Sequence, residues 1–172
     1  MTCGGEARRL LQEWLSEPTL VLGIGHPWRG DDAVGPEVGA RVGAPHAVDC
    51  GDAPERYLGL AGDPEWARVL FVDAVDFGGA PGELAFCLPA DLTEGAGTTH
   101  TAGLAVLARF VEESYGKPVA VLGLQPGETR FGAEMSEAVK AAVAEVRAML
   151  ASISQVRNLR HGAEREAAWT RS

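Results

Sequence analysis

A chain of 172 residues, 46% hydrophobic and 23% charged, fits one soluble globular domain that buries roughly 70% of its extended-chain surface. Its formal net charge of −9 gives no electrostatic reason to expect nucleic acid or an anionic membrane as a partner. No stretch approaches the roughly 20 apolar residues of a membrane helix, and the segment holding Arg8, Arg9 and Leu10-Leu11 has no apolar run of signal-peptide length. Cys3, Cys50 and Cys87 are odd in number and far apart, with no CxxC pair. That argues against a disulfide framework or a thiolate zinc site, and for reduced thiols in a cytoplasmic setting.

Residues 1–18 form an expected N-terminal extension, helical or loose. Thr19-Leu20-Val21-Leu22-Gly23-Ile24-Gly25, between Pro18 and His26-Pro27, is a short apolar run that predicts a buried strand. Val34, Val38 and Val42 recur at helical spacing, with Pro36 early enough to cost little. Ala47-Val48-Asp49-Cys50 predicts a second strand ended by Gly51, and Ala53-Pro54-Glu55 a short helix through Leu60. Val69-Leu70-Phe71-Val72-Asp73-Ala74-Val75 carries the strongest strand signal, apolar on both faces like a central parallel strand.

Glu83-Leu84-Ala85-Phe86-Cys87-Leu88 predicts a further strand. The Gly78–Gly82 break before it is too short for a parallel crossover, so the two strands are expected to pair antiparallel. Leu104, Leu107 and Val111 mark a helix ending near Tyr115-Gly116. Pro118-Val119-Ala120-Val121-Leu122-Gly123-Leu124 is the last strand. Met135, Val139, Val143, Val146 and Leu150 line a closing helix, and residues 153–172 are expected to be a flexible polar tail. The alternation predicts an α/β three-layer sandwich over residues 19–152, with a sheet of about five strands, mostly parallel with one antiparallel.

In such folds the loops at the carboxyl ends of the strands line the ligand crevice. Three of them carry polar residues: the loop from Gly25 to Asp32, the strand end at Asp73, and Thr98-Thr99-His100. Two carboxylates and an imidazole there suit a divalent ion such as nickel or zinc. Crowded carboxylates also raise one another's pKa and share a proton for acid–base work. Both readings use Asp32, Asp73 and His100. Each residue has a plainer role available: Asp31 or Asp32 as a helix cap, Asp73 as a turn residue, His100 as a helix-start histidine. Asp76 reads as a solvated turn acid. Gly23-Ile24-Gly25 opens like a dinucleotide fingerprint, but Trp28 stands where its third glycine is needed, so that ligand is not expected.

Several motifs together carry a family resemblance. The stretch from Leu22 to Pro36 resembles the N-terminal signature of hydrogenase maturation proteases: a strand, G-N, four residues, D-D or D-E, two residues and G. Val48-Asp49-Cys50-Gly51-Asp52-Ala53-Pro54-Glu55 is similar to the family's I-D-G-G-x-A-P-E. Phe71-Val72-Asp73-Ala74-Val75-Asp76 with Pro81-Gly82-Glu83 resembles its V-D-A-x-D and P-G-E. Thr98-Thr99-His100 is similar to its T-T-H, and Leu122-Gly123-Leu124-Gln125-Pro126 to its L-G-I-Q-P. The match runs in order from about residue 19 to 150 and is nearest the formate-hydrogenlyase branch.

The resemblance implies a phosphorylase/hydrolase-like fold. It also implies an aspartic-type endopeptidase that removes a C-terminal extension from a nickel–iron hydrogenase large-subunit precursor after nickel insertion. The family's metal ligands fall on Asp32, Asp73 and His100, its catalytic carboxylates on Asp32 and Asp73, and nickel is recognised within the precursor. His26 replaces the family's asparagine, either filling its structural place or adding a ligand. A generic metallohydrolase and a non-proteolytic nickel-sensing chaperone are the competing readings.

Overall fold

The structure, a computed structural model, describes residues 1–41, 46–93 and 99–151, with the backbone alone for Arg41, Thr93 and residues 99–102. The apolar runs form one open sheet of six strands: β1 (Thr2–Cys3), β2 (Thr19–Ile24), β3 (Ala47–Gly51), β4 (Arg68–Ala74), β5 (Leu84–Cys87) and β6 (Val119–Leu124). Their order across the sheet is β1-β5-β6-β4-β2-β3. β3, β2, β4 and β6 run parallel, and β5 opposes both β6 and β1. The single opposed strand and the α/β layering match the sequence expectation. The sixth strand, β1, is too short to leave a signal.

Side-chain alternation divides the interior into two layers. Val21, Leu70, Val72, Ala120 and Leu122 face one core, which α1 (Gly4–Trp14), α2 (Val34–Arg41) and α5 (residues 137–151) close. Leu20, Leu22, Phe71 and Val121 face the other, beneath α4 (Thr99–Tyr115), with α3 (Pro89–Thr93) before it. The segment expected as an N-terminal extension is thus a helix whose Ala7 and Leu11 are buried in the first core. Its Arg8 donates from Nε to Glu145 of α5 at 2.5 Å. Residues 53–60, expected as one helix, form two 3₁₀ turns, Pro54–Arg56 and Leu58–Gly62. Val42 and the tail from 153 onward lie outside the described residues. No described helix is long and apolar enough to cross a membrane.

One expectation needs correcting. β4 and β5 run in opposite directions, but they are not paired: β6 lies between them. The connection crosses the end of β6 instead of forming a hairpin. Val75 N–H donates to Leu124 O at 3.0 Å, Gly82 N–H to Gln125 O at 2.9 Å, and Gln125 N–H to Glu83 O at 2.9 Å. Gln125, only 6% exposed, pins this crossing with its side chain. Its Oε1 accepts from Phe77 N–H and Gly79 N–H, and its Nε2 donates to Asp76 Oδ1 and Pro126 O. The carboxamide's polar atoms are all used, which is why it tolerates burial.

α2 lies unusually close to β2. A Cβ on Gly35 would stand 2.1 Å from both Ile24 N and Ile24 O, and one on Gly23 would stand 2.0 Å from Gly35 O. Close helix–strand approach is therefore present, supplied by Gly35 against Gly23 and not by a dinucleotide-type third glycine. Backbone cannot move aside as a side-chain tip can. Gly35→Ala should cost on the order of 1–3 kcal/mol in urea denaturation. Gly103→Ala, on the open face of α4 with nothing within 4 Å, should be neutral or gain up to about 1 kcal/mol. Equal stability of the two variants would refute this packing.

Candidate active site

β2 and β4 are neighbours whose following connections leave in opposite directions, β2 towards β3 and β4 towards the β5–β6 side. The crevice between their carboxyl ends is where open α/β sheets bind ligands. Asp32 and Asp73 both arrive there.

Asp73 sits near the end of β4, two residues after Phe71, and so points to the face that α4 covers. It is 6% exposed. Its Oδ1 accepts one hydrogen bond, from Ala74 N–H at 2.8 Å. Burial first, and then the Asp32 charge, push its pKa up to about 8, with the Ala74 bond a smaller opposing effect. This carboxyl therefore holds its proton well above the ordinary carboxylate range. Asp73 is no ordinary turn residue.

Asp32 lies in the 3₁₀ turn Gly30–Ala33 after β2. Its Oδ2 accepts His26 N–H across the loop at 3.0 Å. The loop closes so tightly that a Cβ on Gly25 would be 1.9 Å from Asp32 O, and Gly25 has φ +141°, open to glycine alone. His26 Nδ1 accepts from Trp28 N–H at 3.2 Å. This is the turn an asparagine makes with its own side chain, so the geometry favours the structural role for His26.

Asp31 does something the sequence did not single out. It is 0% exposed, and its carboxylate meets four donors. Oδ2 accepts from Gly127 N–H (2.7 Å), Glu128 N–H (2.9 Å) and Ser136 Oγ–H (3.0 Å), while Oδ1 accepts Ser136 N–H at 2.7 Å. It caps α5, about a hundred positions along the chain, and not the turn it belongs to. The pair Asp31-Asp32 therefore splits its work, one carboxylate holding loops and the other facing the crevice. Gln125 was also missed as a functional position, although it stands in the quoted Leu122–Pro126 motif.

His100 is in the first turn of α4, on the face to which Asp73 points, but its side chain lies outside the described residues. Among the described residues no three His, Cys, Asp or Glu side chains gather as a metal-holding group. Asp76 is an exposed turn acid accepting from Gly78 N–H at 3.1 Å, and its bond from Gln125 lowers its pKa first. Burial pushes the Cys50 thiol up to about 12 and the Cys87 thiol up to about 11. Neither offers a thiolate at neutral pH.

A carboxyl that keeps its proton beside one that carries charge can take a proton from water and return one to a leaving group. That chemistry in an open α/β crevice fits hydrolysis without a serine or thiol nucleophile. Similarity to known proteins identifies the family. The family model for HycI, hydrogenase maturation protease, matches residues 40–153. The Hydrogenase 3 maturation protease of Escherichia coli K12 is 33% identical over 133 residues, 74% of this chain and 85% of that protein. The crystal structure of the [NiFe] hydrogenase maturation protease HycI from Thermococcus kodakarensis KOD1 superposes with a TM-score of 0.75 at 32% identity, over 84% of this chain and 97% of that one. The solution structure of an endopeptidase HycI from Escherichia coli gives 0.66 at 30%, over 78% and 90%. The chain belongs to the hydrogenase maturation protease family, and its enzyme class is that of a peptide-bond hydrolase.

The raised pKa of Asp73 also makes a stability prediction. A group that binds its proton more tightly when folded stabilises the fold fully below its unfolded value, near 3.8, and loses that contribution as pH rises through about 8. Asp73→Asn should therefore flatten the decline in stability between those limits. At the alkaline end it should be at least as stable as the wild type. Denaturation midpoints measured across that range check this; parallel curves for the two proteins would contradict it.

Proposed function

We propose that this protease removes a C-terminal extension from the large-subunit precursor of a nickel–iron hydrogenase, after nickel has been inserted. Asp32 and Asp73 are its acid–base pair, and His100 completes a set of donors for the nickel that the precursor carries. The observation carrying the reading is the buried Asp73 carboxyl opposed by the Asp32 charge. We take the setting to be cytoplasmic, which three free thiols suit.

In this reading the Asp32 carboxylate, oriented by His26 N–H, accepts a proton as a water oxygen bonds to the scissile carbonyl carbon. The Asp73 carboxyl then delivers its proton to the departing amide nitrogen as the C–N bond breaks. One proton is taken and one given, so the pair regains its starting charge with the two protonation states exchanged, and a proton passing between them resets it. Two carboxylates and an imidazole form an oxygen-and-nitrogen donor set of the kind divalent nickel accepts. A cation in the crevice favours the ionised carboxylates, opposing the burial that keeps Asp73 neutral. A carboxyl that ligates nickel has given up its proton, so Asp73 serves the departing amide only while it is not itself on the metal.

The assay is the mass of the precursor large subunit, loaded or unloaded with nickel, after incubation with the enzyme. Wild type should shorten the loaded precursor and leave the unloaded one intact. Asp73→Asn keeps the side-chain shape but can neither hold nor give the proton, so processing should fall by at least about a hundredfold with the fold retained. Cutting of nickel-free precursor, or full activity of Asp73→Asn, would overturn the proposal.

A further inference from the structure

The crevice has a rim that the acid–base pair does not use. Trp28 is 67% exposed and Phe131 is 74% exposed, two of the three most exposed large apolar side chains among the described residues. They come from separate loops, residues 25–33 and 125–136, and those loops are bolted together. Gly132 N–H donates to Trp28 O at 2.7 Å, Asp31 N–H to Glu128 O at 2.7 Å, and the buried Asp31 carboxylate adds its four bonds. The Phe131 ring meets the His26 imidazole edge to face, with centroids 5.9 Å apart. His26 N–H in turn binds Asp32. One residue therefore separates the exposed phenyl ring from the crevice carboxylate.

Large aromatic rings held outward on hydrogen-bonded loops are the side chains most often used as anchors in protein contacts. A mobile loop could fold them inward; this one is held by too many backbone bonds. The rim is tied to the Asp32 loop through His26, whose ring meets Phe131 and whose N–H binds Asp32.

We propose that Trp28 and Phe131 are specificity-determining residues, an aromatic clamp for an apolar side chain of the precursor polypeptide close to the bond that is cut. The inference rests on the protease reading above and adds to it the part of the substrate that is gripped. Aromatic side chains are the usual energetic anchors of such contacts, and each costs roughly tenfold or more in affinity when truncated.

The test uses full-length protein and the nickel-loaded precursor. Trp28→Ala and Phe131→Ala should each raise KM about tenfold with kcat changed less than about twofold, because the clamp holds ground state and transition state alike. Trp28→Phe should recover most of the loss. In an Asp73→Asn background, where the precursor stays uncut, calorimetry should show the same loss of affinity. Melting temperatures should stay close to wild type, since neither ring is buried. Unchanged KM and affinity in the double alanine variant, with wild-type cutting intact, would overturn the clamp and leave the protease reading standing. Failure of wild type to cut any precursor would overturn the protease reading, and the clamp with it.

Discussion

Burial at the end of β4 strips water from the Asp73 carboxyl, and the Asp32 charge opposes its ionisation from across the crevice. The rest of the site follows from that pairing. β4 must lie centrally for the burial to exist, and it does, between β2 and β6 in a sheet covered on both faces. The loop after β2 must turn sharply for Asp32 to come so near. Gly25 allows it, because a side chain there would collide with Asp32 O.

Asp31 makes the arrangement rigid. A carboxyl group without solvent is tolerable only when hydrogen bonds replace its hydration, and four donors from residues 127, 128 and 136 do so. The same bonds fix the start of α5 and the loop bearing Phe131, so one buried side chain sets the register between crevice and rim. Gln125 plays the matching neutral part on the other side, tying the β4–β5 connection to the end of β6. Together they explain why loops at this edge of the sheet are ordered without regular secondary structure.

Much of this was legible in the residues. Continuous apolar runs such as Val69–Val72 and Val119–Leu122 identify buried parallel strands because both faces need covering. The stripe Val139, Val143, Val146 and Leu150 identifies α5 because its spacing turns one side to the core. Polar residues ending such strands mark the crevice, which is how Asp32 and Asp73 stood out. The position of β6 between β4 and β5 was not legible: chain direction follows from loop length, but adjacency depends on backbone bonds made by residues some forty positions later. The part played by Asp31 was hidden for the same reason, since its partners are remote in sequence and are mainly backbone groups, which carry no residue signature. Trp28 and Phe131 are single aromatics in glycine-bearing loops, without periodicity to distinguish them from core residues.

Asp73 and Asp32 act as one coupled pair, and carbon-13 NMR titration of the Asp73 carboxyl tests this most directly. In the wild type the midpoint should lie near about 8. In Asp32→Asn, which removes the neighbouring charge while still offering an oxygen to His26 N–H, it should fall measurably while remaining above the ordinary carboxylate range, because burial persists. A wild-type midpoint near the ordinary value of 3.8, or one indifferent to Asp32→Asn, would contradict the account.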